Sequence, residues 1–286
     1  MSFLKNQGII LLFFCFCFTA CRDSDPDAIT YQITFDSLER NYIVYNPYPD
    51  QLNLPLVFVL HGYGGSNEDV MMYTKMNDVA KEHHFAVCYP QGSADYNGFI
   101  HWNSLLNLGD AKDAEFIEYL AQELTNDVAY DASKTYLCGH SNGGFMAYHL
   151  ARRDLGIFKA FASVCGTISG ADWDRLNTML NANFLQISGT ADNVIPMDGT
   201  IQLYGDWGGA PSIDSVYIQI GQLANCTAKD TIQCNSNTTE FRFGTCQDQF
   251  VYQLTVIDNW GHGWPLSTLN SKDIHASRYI WQFFNN

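Results

Sequence analysis

Ser141 stands between Gly139 and Gly143, where an apolar run, Thr135–Cys138, hands over to a helical pattern over Asn142–Arg152. Glycines at that spacing permit a turn so tight that a side chain there would strike the neighbouring strand or helix. The serine between them is forced into a strained backbone conformation, which lifts its hydroxyl clear of the strand. The helix that follows points its N-terminal amides at the same place, where they favour a developing negative charge. The chemistry this allows is attack of a serine oxygen on a carbonyl carbon.

A hydroxyl is a poor nucleophile until a base removes its proton. His262, between Gly261 and Gly263 and after the apolar run Phe250–Ile257, is the candidate base. Three other histidines compete. His140 adjoins the serine and is expected to point elsewhere on a tight turn. His61 precedes a glycine loop in a structural position, and His149 lies within the helix after Ser141. The candidate orienter of His262 is Asp192, shortly after the run Phe184–Ser188. Asp198, beyond Pro196, is the alternative, and Asp258 is too close to the end of its own strand. Two backbone amides are needed for the oxyanion. The candidates are Asn142, next after the serine, and Tyr63 in the loop His61–Gly65, HGYGG.

These residues require a frame. Tyr31–Phe35 and Asn41–Tyr45 read as a hairpin, turned by Asp36 and Ser37. Leu54–Leu60 and Phe85–Tyr89 are short continuous apolar runs, as in strands covered on both faces. Phe158–Cys165, Phe184–Ser188 and Phe250–Ile257 read as further strands. Helical segments are predicted around Asp69–Glu82 and over Ala111–Leu124, where Ala114, Ile117, Leu120, Ala121 and Leu124 share a face. The alternation predicts an α/β fold: a mainly parallel central sheet with helices on both faces. Sites in such sheets lie beyond the C-terminal strand ends. Ser141, Asp192 and His262 all follow strands, in that order.

The chain has 286 residues and a net charge of −15, which repels nucleic acid and anionic lipid. A neutral substrate fits that charge better than a polyanion. Apolar residues make up 47 %, enough for a sizeable core. Residues 1–20 read as a signal peptide, with Lys5 followed by the apolar Gly8–Phe18, too short to span a bilayer comfortably. Thr19-Ala20-Cys21 resembles a bacterial lipobox, with Phe18 where that motif has leucine. The resemblance implies a lipidated Cys21 at the cell envelope; ordinary cleavage and secretion is the alternative. Residues 21–30 read as a polar tether and 31–286 as one catalytic domain. Export favours a disulfide among Cys226, Cys234 and Cys246, with one thiol left over and the pairing open. Cys88, Cys138 and Cys165 sit in apolar runs and read as buried free thiols, and no spacing suggests a metal site.

Six ordered segments carry a resemblance: ITFDSLERNYIVYNP, LPLVFVLHGYGG, the tryptophan of HWN, GHSNGGFMAYHLA, SGTADNVIP and GHGWP. Together they resemble the secreted polyhydroxybutyrate-depolymerase and feruloyl-esterase group of α/β-hydrolases, from Ile33 to the C-terminus. The resemblance implies a serine carboxylic-ester hydrolase without cofactor or metal. Ser141 would be the nucleophile, Asp192 the acid and His262 the base. Trp102 and Trp264 would contact substrate. A feruloyl or acetyl ester of plant polysaccharide is the implied substrate, with polyhydroxyalkanoate as the alternative. A different class, a catalytically silent surface-binding lipoprotein, is opposed by the intact order of the three residues. A peptidase of the same fold would favour a propeller or large cap domain, which is not recognisable here. The chain departs from the group over Tyr204–Gln247, where it carries Cys234 and the polar segment CTAKDTIQCNSNTTE.

Overall fold

The apolar runs become strands of one sheet, and the alternation inside each run decides which face a side chain covers. In Leu54–Leu60, Leu56, Phe58 and Leu60 enter one core cluster while Val57 and Val59 enter the other. A strand buried on both faces needs no polar alternation, which is why the run reads as continuously apolar.

The computed structural model describes residues 25–126, 129–153, 155–177, 180, 182–199, 209–227, 229–243, 246, 250–266 and 274–286. The signal peptide, Cys21 and most of the tether lie outside these residues, as does part of the 204–247 segment. In chain order the elements are β1 (Ala28–Phe35), β2 (Leu38–Tyr45), β3 (Leu54–Leu60), α1 (Asn67–Thr74), α2 (Met76–His83), β4 (Ala86–Pro90), β5 (Ser93–Ala94) and β6 (Ile100–His101). Then come α3 (Asp113–Thr125), β7 (Tyr130–His140), α4 (Asn142–Arg153), β8 (Ala160–Val164), α5 (Gly170–Trp173) and β9 (Asn183–Gly189). The chain finishes with α6 (Ile213–Leu223), β10 (Lys229–Gln233), β11 (Thr238–Phe243), β12 (Tyr252–Ile257) and α7 (Ala276–Phe284).

The main sheet runs β1-β2-β4-β3-β7-β8-β9-β12-β11-β10. Its centre, from β4 to β12, is parallel, and antiparallel hairpins finish both edges. This is an α/β-hydrolase fold. One face packs residues such as Phe116 and Leu120 of α3, Met146 and Tyr148 of α4, and Val216 of α6. The other packs Val70 of α1, Val79 of α2, and Ile280 and Trp281 of α7.

The β1–β2 hairpin turns at Asp36 and Ser37, both left-handed with φ of 50° and 64°. That twist matches a two-residue hairpin. The single helix expected around 69–82 is two helices, broken at Lys75 with φ of 55°. Thr74 Oγ1 donates to the Val70 carbonyl instead of facing solvent, a local bond that competes with the helix ladder. The break lets α2 bury Met76, Val79 and Ala80.

The polar segment after Cys226 is not a loose insertion. It forms β10 and β11, which extend the sheet beyond β12. Its sequence reads as polar because β10 is exposed throughout at the sheet edge. Cys226 bonds Cys246, and Cys234 is the exposed free thiol among the described residues. Cys88, Cys138 and Cys165 are free and buried.

Candidate active site

The turn from β7 to α4 is as tight as its glycines predict. A Cβ on Gly139 would sit 2.3 Å from the Gly143 carbonyl carbon, and one on Gly143 would sit 2.6 Å from the Leu60 carbonyl oxygen. Neither contact can be relieved without moving backbone. Ser141 takes a φ of 52°, a left-handed conformation that a non-glycine residue rarely adopts. Its amide is held by the Val164 carbonyl at 2.8 Å. The hydroxyl is thereby presented at the C-terminal edge of the sheet.

Two loops, after the neighbouring strands β12 and β9, supply the pair of groups behind that hydroxyl. His262, in the loop after β12, lies with Nε2 2.9 Å from Ser141 Oγ and Nδ1 2.8 Å from Asp192 Oδ2. With its proton on Nδ1, the imidazole donates to the carboxylate and accepts from the serine hydroxyl. Asp192, after β9, is buried. Its other oxygen, Oδ1, accepts from the Val194 amide at 2.9 Å and the Ile195 amide at 2.8 Å. Burial alone would raise this carboxyl. The His262 bond and the two amides outweigh it and hold the pKa below the ordinary carboxylate range. The alternative, Asp198, is exposed in the turn beyond Pro196.

Cys165 lies behind this pair. Its thiol donates to the Gly263 carbonyl at 3.3 Å, and burial pushes its pKa up to about 12, so it keeps its proton. Cys165, Asp192 and His262 bring their side-chain donor atoms within 4.8 Å of one another, the one such grouping among the described residues. The acid and the base already use each other in it, and the thiol proton is on Gly263.

In front of Ser141 opens a cleft of about 260 Å³, lined by Tyr63, Tyr73, Val70, Asp69, His140 and His262 among others. In the loop after β3, the Gly64 amide goes to the Ile100 carbonyl and the Gly65 amide to the Gly62 carbonyl. The Tyr63 amide has no acceptor among the described residues, and neither has the Asn142 amide at the start of α4. Both candidate oxyanion donors are thus unengaged. The Tyr63 side chain points along the cleft rim, donating to Asp95 Oδ2 at 2.6 Å with its ring 5.8 Å from Phe99.

The two tryptophans expected to touch substrate do not reach the cleft. Trp102 is fully buried, and Trp264 is buried with its indole N–H on Ser277 Oγ at 3.0 Å. A large aromatic beside a motif buries its area in the core whenever its N–H finds a partner there. His140 corrects the opposite way. It lines the cleft, its ring centroid 5.2 Å from that of His262. Burial and the neighbouring imidazole lower its pKa to about 3, so it stays neutral. His61 is buried and structural as expected, and His149 is tied to Asp172 at 2.8 Å. Tyr73 and Cys165 were not legible as site residues. One lies on a helix and the other ends an ordinary strand, and neither carries a local motif.

The sequence profile of the family described as "Esterase PHB depolymerase" matches residues 40–241. The bifunctional acetylxylan esterase/xylanase XynS20E of Neocallimastix patriciarum is 25 % identical over 248 residues, 85 % of this chain and 33 % of that one. Feruloyl esterase C of Emericella nidulans is 31 % identical over 154 residues, 52 % of each chain. The chain thus spans about half the length of these curated relatives or less. Among solved structures, an acetyl xylan esterase from Aspergillus awamori superposes with a TM-score of 0.64 at 15 % identity, covering 90 % of this chain and 99 % of that one. At that identity the likeness is one of fold.

Proposed function

Because the chain belongs to the "Esterase PHB depolymerase" family, we propose that it hydrolyses carboxylic esters through Ser141, His262 and Asp192. The observation that carries this reading is the imidazole of His262, bridging Ser141 Oγ at 2.9 Å and Asp192 Oδ2 at 2.8 Å. Ser141 Oγ attacks the ester carbonyl carbon as His262 Nε2 takes the hydroxyl proton. The carbonyl oxygen becomes an oxyanion, received by the amides of Asn142 and Tyr63. Its collapse expels the alcohol, which takes the proton from His262. Water then attacks the acyl-serine by the same route, releasing the carboxylic acid and restoring the hydroxyl. Asp192 keeps the Nδ1 proton in place and balances the transient imidazolium.

The substrate is a feruloyl or acetyl ester of plant polysaccharide. The names of the relatives support this class, as do the tyrosines along the cleft and a net charge of −15, which suits a neutral substrate. Residues 1–20 direct export, and a lipid on Cys21 holds the enzyme at the cell envelope.

A fluorophosphonate probe tests the chemistry. The wild-type chain becomes labelled at Ser141, and Ser141→Ala is neither labelled nor active, a loss on the order of 10⁶ in turnover. A panel of feruloyl, acetyl and hydroxybutyrate esters then tests the substrate. A preference for hydroxybutyrate oligomers overturns the polysaccharide assignment. Residual activity above a few per cent in purified Ser141→Ala removes the serine from its role.

A further inference from the structure

The two amides assigned to the oxyanion come from distant parts of the chain. Tyr63 follows β3 and Asn142 follows β7. An oxyanion needs both donors at hydrogen-bond distance at once. β3 and β7 pair directly up to Leu60 opposite Gly139, but Tyr63 and Asn142 lie beyond that pairing, where the loop and the turn need a further hold on one another. We propose that Trp102 is the positioning residue, a buried bracket that joins the two halves of the oxyanion hole. The inference rests on the ester-hydrolase reading above.

Trp102 grips both halves directly. Its backbone N–H donates to Asn142 Oδ1 at 2.6 Å, and its carbonyl accepts from Asn142 Nδ2 at 3.0 Å. This two-point clasp fixes the Asn142 side chain, and with it the first residue of α4. The indole Nε1–H reaches the other way and donates to the His61 carbonyl at 3.0 Å. The tryptophan itself is fully buried, its ring 4.8 Å from the His61 imidazole.

The second half is set one peptide at a time. His61 Nε2 accepts from the Gly92 amide at 3.0 Å, which leaves the ring proton on Nδ1. That Nδ1–H donates to the Gly62 carbonyl at 2.8 Å, and the Gly65 amide donates to the same oxygen at 3.1 Å. The Gly62 carbonyl and the Tyr63 N–H belong to one planar trans peptide and point in opposite directions. Fixing that carbonyl therefore aims the Tyr63 N–H. Meanwhile the Ile100 carbonyl holds the Gly64 amide at 2.7 Å.

The bracket has its own foundation. Asp113 Oδ2 accepts from the Asn103 amide and from Ser93 Oγ, each at 2.9 Å, and Asp113 Oδ1 takes the buried Arg40 guanidinium at 2.8 Å. Segment 92–103 is thus pinned at both ends, with Trp102 set against His61 after β3 and Asn142 after β7. His61, Gly62 and Gly65 line the cleft wall, whereas Trp102, Asn103, Ser93, Asp113 and Arg40 lie outside its lining. Their effect on rate passes through the placement of two amides.

The test separates placement from packing. Trp102→Phe keeps an aromatic ring and loses the indole donor. Asn142→Ala keeps the backbone amide and loses the clasp. If Trp102→Phe does not fold, benzothienylalanine at position 102 serves in its place, since sulfur replaces the N–H at nearly unchanged shape. Three quantities are read with a small acetyl ester: the single-turnover acylation rate, the ground-state affinity for the ester, and the affinity for a trifluoromethyl ketone, which adds to Ser141 as a tetrahedral oxyanion. Acylation and ketone affinity are expected to fall together by about tenfold or more, with ester affinity within about twofold of wild type. Acylation within about twofold of wild type overturns the bracket, as does a fall in ester affinity matching the fall in rate. A wild-type chain that neither hydrolyses the ester nor takes a fluorophosphonate overturns the ester-hydrolase reading, and that outcome is visible before any variant is compared.

Discussion

Asp192 Oδ2 and His262 Nδ1 meet at 2.8 Å although 70 positions separate them in the chain. The two residues lie in the loops that follow adjacent parallel strands, β9 and β12, paired from Phe184 opposite Tyr252 to Gly189 opposite Ile257. Parallel pairing delivers both loops to the same edge of the sheet. The carboxylate is then aimed by two of its own loop amides, those of Val194 and Ile195.

From that contact, Asp192→Asn is expected to cut turnover by about 10⁴, because an amide in place of the carboxylate no longer secures the Nδ1–H tautomer. Asp198→Asn is expected to leave turnover within about twofold, because Asp192 Oδ2 already occupies His262 Nδ1. Steady-state rates of the two purified variants on one ester decide it. If Asp198→Asn is the damaging change, the acid has been misassigned.

Gly143→Ala is expected to destabilise the chain by roughly 1–3 kcal/mol or more and to abolish fluorophosphonate labelling. The added Cβ would lie 2.6 Å from the Leu60 carbonyl oxygen and 2.7 Å from that of His61, so β3 and the loop that carries Tyr63 must move. Thermal unfolding and probe labelling of the same preparation measure both effects. A variant that melts and labels like wild type would show that the elbow has slack the geometry does not display.

Acid should weaken the fold through two neutral histidines. Burial lowers His140 from 6.5 to about 3 and His61 from 6.5 to about 4. Below about pH 6.5 the unfolded chain takes up protons that the folded chain refuses until near pH 4 at His61 and pH 3 at His140. Their contribution to stability is therefore complete above pH 6.5 and drains away as pH falls toward those values. The melting temperature is expected to fall across that window, and His140→Gln to flatten the fall. An unchanged slope in the variant would show that His140 is not the group responsible.

Lipidation makes a separate prediction. With Cys21 acylated, Cys21→Ser should move the protein from the membrane fraction to the soluble fraction of the expressing bacterium. Mass spectrometry of the mature N-terminus checks it. An unmodified N-terminus downstream of Cys21 would establish ordinary signal cleavage.

The parts legible in the sequence are those whose physics is local. The turn at Ser141 requires glycine at positions 139 and 143 because of contacts with its own strand, its own helix and the adjoining β3, so the requirement is written into a few consecutive residues. The continuous apolar runs announce strands covered on both faces, and the order Ser141, Asp192, His262 follows from the order of those strands. Asp36 and Ser37 mark the first hairpin because a tight turn needs left-handed residues there.

Other features depended on which surfaces meet after folding. Trp102 is expected to contact substrate, yet its indole N–H finds the His61 carbonyl and the ring is fully buried. His140 reads as a residue turned away, yet it faces the cleft beside His262. Three cysteines in one stretch permit any pairing until β10 and β11 join the sheet and leave Cys226 against Cys246, with Cα atoms 4.0 Å apart. A side chain's type and local spacing constrain the backbone it can occupy. Its neighbours across the sheet are chosen by strand register and packing, which no short stretch of sequence contains. The three residues of the candidate site lie in local motifs of the chain, but the hydrogen bonds by which Trp102 joins Asn142 to the His61 carbonyl arise only in the tertiary structure.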